Sequence, residues 1–374
     1  MSTNSIIDKI KYRIFKPYMS NKILKCLGRN KDEIAYLSDY DLKLYRDNFK
    51  KAIKDFANSN EKFMIMVKII KNFANSHITS ETKNWIVSQV NPKSPILVTV
   101  IKDDIIRCKL LLTYYRSIGV KYFAILDNGS TDGTFELLKE QKDVNLFKCV
   151  EEYETYRKEA WVNRIISNFG FNRWYLIVDS DEMIDYIGRE EQSIEAVIDE
   201  LEKQNFTRGK GMLIDMYSKE NLFEVDCDYI DIPNRFSYFD YKGYHFETKS
   251  FVPHWEGGPR QRVLDTKHIW VSKSPLLYMN RDTVVINAHF QFPLSIDRES
   301  PEIFFIKHYK YLKQDYLPFK KRVEKKNFSN DSKFYKSAVE KFSNGDDISF
   351  FYADSMKFNS SNDIKIFTNI RELV

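Results

Sequence analysis

Hydrophobic and polar positions change period twice along this 374-residue chain. From residue 5 to about 90, apolar side chains recur every three or four positions, as in FMIMVKIIKNF (63–73), which predicts an N-terminal helical region over 1–92. NPKSP (91–95) breaks that pattern and introduces ILVTV, a short buried-strand signal. Strands are then expected at 96–100, 121–126, 144–150, 174–179 and 211–216. Helices are expected at about 104–118, 133–141, 157–169 and 192–204, between the strands. Short apolar strands separated by amphipathic helices predict an α/β class with a mostly parallel sheet, helices on both faces. Beyond 220 the periodicity weakens into loops and short strands, and from 301 it reads as helical again. The organisation expected is therefore 1–92 helical, 93–300 an α/β domain, and 301–374 a C-terminal helical extension.

Composition narrows the class. Aromatic residues make up 15% (28 Phe, 23 Tyr, 5 Trp) against only 12 Gly and 10 Pro, which excludes a disordered or fibrous chain. Cys26, Cys108, Cys149 and Cys227 lie far apart without a CxxC pair, so they read as free thiols in a reducing cytoplasm. No segment offers the roughly 18–20 apolar residues of a membrane span, nor does the start resemble a secretory signal. The net charge of +5 is modest, but basic residues cluster at 1–30 and at 307–326. Each cluster fits either a solvated helix face or peripheral contact with an anionic membrane. No zinc-finger or RNP-like pattern points to nucleic acid.

Chemistry concentrates at the ends of the predicted strands, where an open α/β sheet binds ligands. WYLIVDSDEMIDY (174–186) is an apolar run that stops on Asp179, Asp181 and Glu182. Alternation in an extended chain puts Asp179 and Asp181 on one side, and carboxylates held that close repel unless a cation lies between them. Hard oxygen ligands suit Mg²⁺ or Mn²⁺, which keep positions open for phosphate oxygens. A solvated acidic turn is the plainer alternative.

AILDNGSTDGTFELL (124–138) runs from a strand into Asp127, then a Gly-containing turn, then a helix expected to be capped by Asp132 or Thr131. A strand-end carboxylate such as Asp127 can accept hydrogen bonds from a nucleobase or a ribose. A tight turn with helix capping is the alternative.

Together with ILVTVIKDD (96–104), these two motifs in this order resemble the family-2-like bacterial glycosyltransferases with the GT-A fold, in the branch with a DNGSTDGT turn and a D-x-D-E motif common in capsule and lipopolysaccharide gene clusters. GMLIDMY (211–217), GGPRQRV (257–263), KSPLLY (273–278) and IKHYKYL (306–312) extend the resemblance over roughly 94–342. The chain departs from the pattern in carrying Lys102-Asp103-Asp104 where the family usually has Lys-Asn-Glu, and Tyr115 near the usual His. The resemblance implies a Rossmann-like GT-A domain and an inverting, Mn²⁺- or Mg²⁺-dependent hexosyltransferase. Its donor would be a nucleotide-diphosphate sugar and its acceptor a saccharide or glycolipid. Asp104, Asp127 and Asp132 would sit on the donor side, and Asp179 with Asp181 at the metal.

Further residues read as follows. Arg260 and Arg262 alternate beside two glycines, which would aim two guanidinium forks at a diphosphate. His289 is the candidate third metal ligand and His308 a donor-covering residue, although a lone His in an apolar run also fits a hydrogen-bonded core position. Asp215 closes the strand GMLI and is the first candidate for the base that deprotonates the acceptor hydroxyl; Glu256 in PHWEGG is the second. A phosphatase of the haloacid-dehalogenase type also places Asp-x-Asp after a strand, but Thr or Val should follow where Glu182 and Met183 stand. A nucleotidyltransferase should open with a Gly-rich loop, which IKDDIIR lacks. A non-enzymatic adaptor using the basic flanks is the remaining alternative.

Overall fold

The computed structural model of the chain describes residues 76–247, 254–264, 266–280, 283–285, 287, 289, 291–292, 298–325 and 333–368. The helices expected before residue 76 lie outside the described residues. Where description begins, residues 76–92 carry a two-residue strand, β1 (Thr79–Ser80), and a short 3-10 turn rather than an α-helix.

Strands and helices then alternate: β2 (Ile96–Ile101), α1 (Ile105–Ser117), β3 (Tyr122–Asp127), α2 (Thr134–Lys139), β4 (Val144–Lys148), α3 (Thr155–Phe169) and β5 (Arg173–Ile177). Next come β6 (Glu182–Asp185), α4 (Ile194–Lys203), β7 (Arg208–Asp215), α5 (Ile232–Arg235), β8 (Tyr238–Phe239), β9 (Tyr244–Glu247), β10 (His254–Gly257) and α6 (Pro259–Val263). The remainder is β11 (Ser272–Met279), β12 (Val284–Val285), β13 (Gln291–Phe292), β14 (Glu299–His308), α7 (Tyr316–Lys325), α8 (Lys333–Ser343), β15 (Met356–Lys357) and α9 (Lys365–Thr368).

Nine strands form one mixed sheet in the order β1-β4-β3-β2-β5-β11-β7-β14-β6. The pairs β2–β3, β3–β4, β2–β5 and β7–β14 are parallel, whereas β1, β11 and β6 run against their neighbours. The result is an α/β fold with a mostly parallel sheet.

Alternation along the strands explains why helices cover both faces. On β2 and β3, Leu97, Ile101, Phe123 and Ile125 pack with Cys108, Leu111 and Leu112 of α1 and with Ile194 and Ile198 of α4. Their neighbours Ile96, Val98, Ala124 and Leu126 point the other way, onto Trp161, Val162, Ile165 and Ile166 of α3. Each fully buried side chain of this size contributes about 1.5–3 kcal/mol, so the central strands need helices on both sides. A third, aromatic cluster joins Tyr217, Phe223, Tyr311, Phe319 and Phe350 under α7 and α8.

The helical reading from 301 fails at its start. SPEIFFIKH belongs to β14, which pairs in parallel with β7 along much of its length and antiparallel with β6 at its end. Its apolar run fits a strand buried between two neighbours as well as a helix, and only pairing with β7 decides between them. The sheet also stacks closely there: a Cβ on Gly211 would meet Phe304 O at 2.6 Å. The described thiols Cys108, Cys149 and Cys227 are free. No helix among the described residues is long and apolar enough to cross a membrane.

Candidate functional site

The carboxyl ends of β3, β2 and β5 lie side by side, with Asp127 opposite Ile101 and Ile177 opposite Val98. Two turns leave this edge, and they carry the acidic motifs.

In the first turn, Asp127 Oδ1 accepts the backbone N–H groups of Gly129 and Ser130, both at 2.9 Å. Asn128 anchors the turn by donating from Nδ2 to Cys149 O and Glu151 O. Asp103 accepts from Thr131 N at 2.7 Å. Gly129 and Gly133 take positive φ, 75° and 93°, which a residue with a Cβ seldom adopts. Against these filled positions, Asp127 Oδ2 and Asn128 Oδ1 are buried and have no partner among the described residues.

Asp132 is placed differently from expectation. The helix cap is Gly133, and the Asp132 carboxylate accepts from Thr134 N at 3.0 Å and from Ile105 N at 3.0 Å, the first residues of α2 and α1. Both oxygens thus satisfy helix-terminal donors, which makes Asp132 a structural clamp rather than a ligand-facing group. Asp104 is also engaged, with Oδ1 3.0 Å from Arg107 Nη1 and Oδ2 accepting from Ser180 Oγ at 2.5 Å. It ties the start of α1 to the second turn.

That second turn separates two strands: β5 ends at Ile177, and Glu182 opens β6. Asp179, Asp181 and Glu182 still offer oxygens within 4.8 Å of one another, but the turn, not strand alternation, gathers them. Glu182 is committed to the fold. Its Oε2 accepts from Asp179 N at 2.9 Å and from Lys273 Nζ at 2.5 Å, with the residue 4% exposed.

Three cations balance this acidity. Lys158 of α3 bonds Asp179, Lys273 of β11 lies 4.0 Å from Asp179 Oδ2, and His308 Nε2 lies 3.1 Å from Asp181 Oδ2. Burial alone would raise both carboxyl groups, but Lys158 and Lys273 hold Asp179, and His308 holds Asp181, below the usual range. Asp181 Oδ1 carries no hydrogen bond among the described residues. The donor set, carboxylate oxygens only, fits a hard divalent cation such as Mg²⁺ or Mn²⁺ at Asp179 and Asp181.

His308 ends β14 between two acids: its Nδ1 is 2.6 Å from Asp215 Oδ1. With a carboxylate on each ring nitrogen, the imidazole carries both protons; burial opposes this charge, but Asp181 and Asp215 raise its pKa. Asp215 accepts from Arg260 Nε at 2.7 Å on its other oxygen. Burial would raise its carboxyl, yet Arg260 and His308 draw it down to about 2. A carboxylate so engaged and so weakly basic is a poor proton acceptor, and the geometry gives Asp215 the task of holding Arg260 and His308.

Arg260 and Arg262 do not act as a pair. GGPRQRV folds into the helical turn α6, with Pro259 in its first turn, so alternate residues diverge instead of sharing a face. Arg262 turns to Asp240, 3.0 Å away, and to Phe350 O. Arg260 faces Asp215, and its buried Nη2 has no partner among the described residues.

His289 lies outside the acidic group. Its Nδ1 donates to Ser272 O at 2.9 Å, and burial lowers its pKa to about 4, so the ring is neutral. Glu256 is 5% exposed and is bonded to His254 and His268, not to the Asp181–His308–Asp215 chain.

Sequence reasoning missed Lys158, Lys273, Lys310 and Glu159. Lys310 lies with its ammonium 5.1 Å from the Tyr335 ring and helps depress Asp181. Glu159, beside Lys158 on α3, is 3% exposed, and burial pushes its carboxyl up to about 7. A signal existed for Lys273, a cation opening the apolar run KSPLLY. Nothing in the helical pattern of 157–169 marks Lys158 or Glu159. The basic run 307–326 also divides. Lys307 is buried against Asp185 and Lys313 pairs with Asp226, leaving Lys320 and Lys321 exposed.

No protein-family model matches the chain, and no curated protein matches it either.

Proposed function

We propose that this chain is an inverting, metal-dependent glycosyltransferase with a GT-A-type domain, moving a sugar from a nucleotide-diphosphate donor to a saccharide or glycolipid acceptor of a bacterial surface polysaccharide such as capsule or lipopolysaccharide. One observation carries the reading: at the carboxyl edge of the parallel strands, Asp127 Oδ2 is buried with no partner among the described residues, while Oδ1 of the same carboxylate is filled by the turn's own N–H groups. A buried acceptor without a donor costs about 1–3 kcal/mol, and a nucleobase N–H or ribose hydroxyl would supply that donor.

The other groups along this edge support the same ligand. Arg260 Nη2, buried and unpartnered, is a donor for a diphosphate oxygen, and Asp215 fixes its direction. Lys310 adds positive charge near Asp181. A divalent cation held by Asp179 and Asp181 would neutralise the charge that develops on the departing diphosphate. His308 keeps Asp181 ionised and oriented, and Asp104 steadies the turn through Ser180. The acceptor's proton is not assigned to Asp215 or Glu256, because both carboxylates are already bonded. Work at the inner face of the cell membrane, through peripheral electrostatic contact, belongs to this reading.

Thermal stabilisation by a panel of nucleotide sugars, with and without Mn²⁺, tests it. One nucleoside class should stabilise the protein only with the metal present. The reading falls if no nucleoside diphosphate, free or sugar-linked, stabilises the protein under either condition.

A further inference from the structure

The end of β14 serves two places at once. His308 reaches Asp181 and Asp215, while Lys307 before it and Tyr309 after it line a separate cavity of about 230 Å³. Strand alternation produces this division. Lys307 pairs in register with Met183 of β6, so the two share a face of the sheet, and both line the cavity. Leu110 and Tyr114 of α1 form another wall. Asn234 of α5 and Asn359, both exposed, stand at the mouth.

Two cations, Lys307 and Arg189, and no carboxylate line the cavity among the described residues. Lys307 Nζ donates to Asp185 Oδ2 at 2.8 Å, and Arg189 Nε donates to Asp185 Oδ1 at 2.9 Å. Asp185 is fully buried behind them, and Glu190, the other acid beside Arg189, is held by Ser361 N at 3.1 Å. An ammonium offers three donors, and at Lys307, whose side chain is 7% exposed, only the one to Asp185 is taken among the described residues. Tyr309 is 2% exposed, and its hydroxyl carries no hydrogen bond among the described residues. Donors this buried call for an acceptor brought in from outside.

The rest of the wall is flat and apolar. The Tyr114 ring lies between the two cations, 4.8 Å from Lys307 Nζ and 5.7 Å from the Arg189 guanidinium. Phe358 covers Lys307 from another side, with its ring 4.9 Å from Nζ. A cavity of about 150 Å³ holds benzene, so this one has room for a six-membered ring with a few substituents.

We propose that this cavity binds one carboxylate-bearing sugar unit, a hexuronate, at a site separate from the acidic turn. Its carboxylate would take the spare donors of Lys307 and Tyr309, its apolar ring face would lie on the aromatic wall, and its hydroxyls would bond Asn234 and Asn359. A neutral sugar leaves the ammonium donors unanswered, and an inorganic anion leaves the apolar wall uncovered. Tyr309 N donates to Asp181 O at 2.8 Å, so the occupant adjoins the acidic turn through backbone alone. The proposal does not depend on the reaction assigned above.

Ligand-detected NMR titration of the full chain tests it, with sodium glucuronate as the probe and glucose and inorganic phosphate as the comparisons. The wild type and Asp181→Asn should bind glucuronate saturably and alike, with glucose and phosphate each at least about tenfold weaker, the loss of one charge-assisted hydrogen bond. Lys307→Gln should erase the preference for glucuronate over glucose. Because that change also leaves Asp185 with one cation, Asn234→Trp, at an exposed position, provides a second variant that blocks the mouth and should weaken glucuronate binding at least about tenfold. Circular dichroism checks folding of both. No saturable glucuronate binding by the wild type, glucose or phosphate bound as tightly, loss of binding in Asp181→Asn, or binding unchanged in folded Asn234→Trp overturns the proposal.

Discussion

Arg260 Nε donates to Asp215 Oδ2 at 2.7 Å, and His308 holds the other oxygen of the same carboxylate at 2.6 Å. One buried anion therefore balances two buried cations contributed by α6 and β14. Asp215→Ala should cost about 3–5 kcal/mol of stability, the scale of stranding buried charge, as measured by chemical denaturation. A loss below about 1 kcal/mol would mean that solvent, not Asp215, balances those cations.

Asp181→Asn removes the charge facing both His308 and the candidate cation. Transfer should fall to background with the fold retained, and excess chelator should reproduce the effect in the wild type. Undiminished activity in chelator would separate the acidic turn from any metal.

Asp127→Ala deletes the unpartnered oxygen but also the acceptor for Gly129 and Ser130. Nucleoside diphosphate binding should weaken by about 1–3 kcal/mol by calorimetry. Asp127→Asn, which keeps one carbonyl oxygen for the turn, separates ligand contact from turn integrity. Equal binding by both variants and the wild type would leave the turn a purely structural element.

Glu159 makes stability depend on pH. Its carboxyl is raised from 4.5 to about 7 by burial, so between those values the folded state binds more protons than the unfolded chain. Stability contributed by this group is complete below 4.5 and declines as pH rises through about 7, by about 3 kcal/mol at most. His308 adds a decline of the same sign above 6.5. Glu159→Gln should flatten the fall between pH 5 and 7.5 in thermal melts, leaving the part due to His308. Melting curves of the two proteins that shift in parallel would show that Glu159 does not titrate there.

Attachment to an anionic surface would rest on residues 1–30 together with exposed Lys320 and Lys321, since Lys307 and Lys313 are paired. Flotation with anionic liposomes should occur at low salt and disappear at high salt, because such contacts are screened within about 10 Å at 0.1 M. No flotation at low salt would rule out the electrostatic anchor.

The strands β2, β3 and β5 were legible because both of their faces are buried, which leaves uninterrupted apolar runs between helical patterns. β14 was not, since its run IFFI suits a helix equally well and β7, its deciding partner, lies some 90 residues earlier. The acidic positions Asp127, Asp179 and Asp181 were found because topology places ligands at strand ends. The cations that balance Asp179 and Asp181 come from Lys158, Lys273 and His308, on three distant elements, and no local spacing encodes those pairings. The pairing of Arg260 with Arg262 was misjudged because Gly258 at φ 92° and Pro259 start a helical turn where alternation suggested a strand.

The position of β14 bears on how the protein is made. β14 is inserted between β7 and β6, both of which leave the ribosome long before it. A nascent chain shorter than about 300 residues carries β7 with an open edge and β6 with no sheet to join. His308 closes that sheet and the Asp181–Asp215 link in the same stretch. The polar site is therefore assembled only when the sheet is, so products released early in translation expose a sticky strand edge without acquiring a working site.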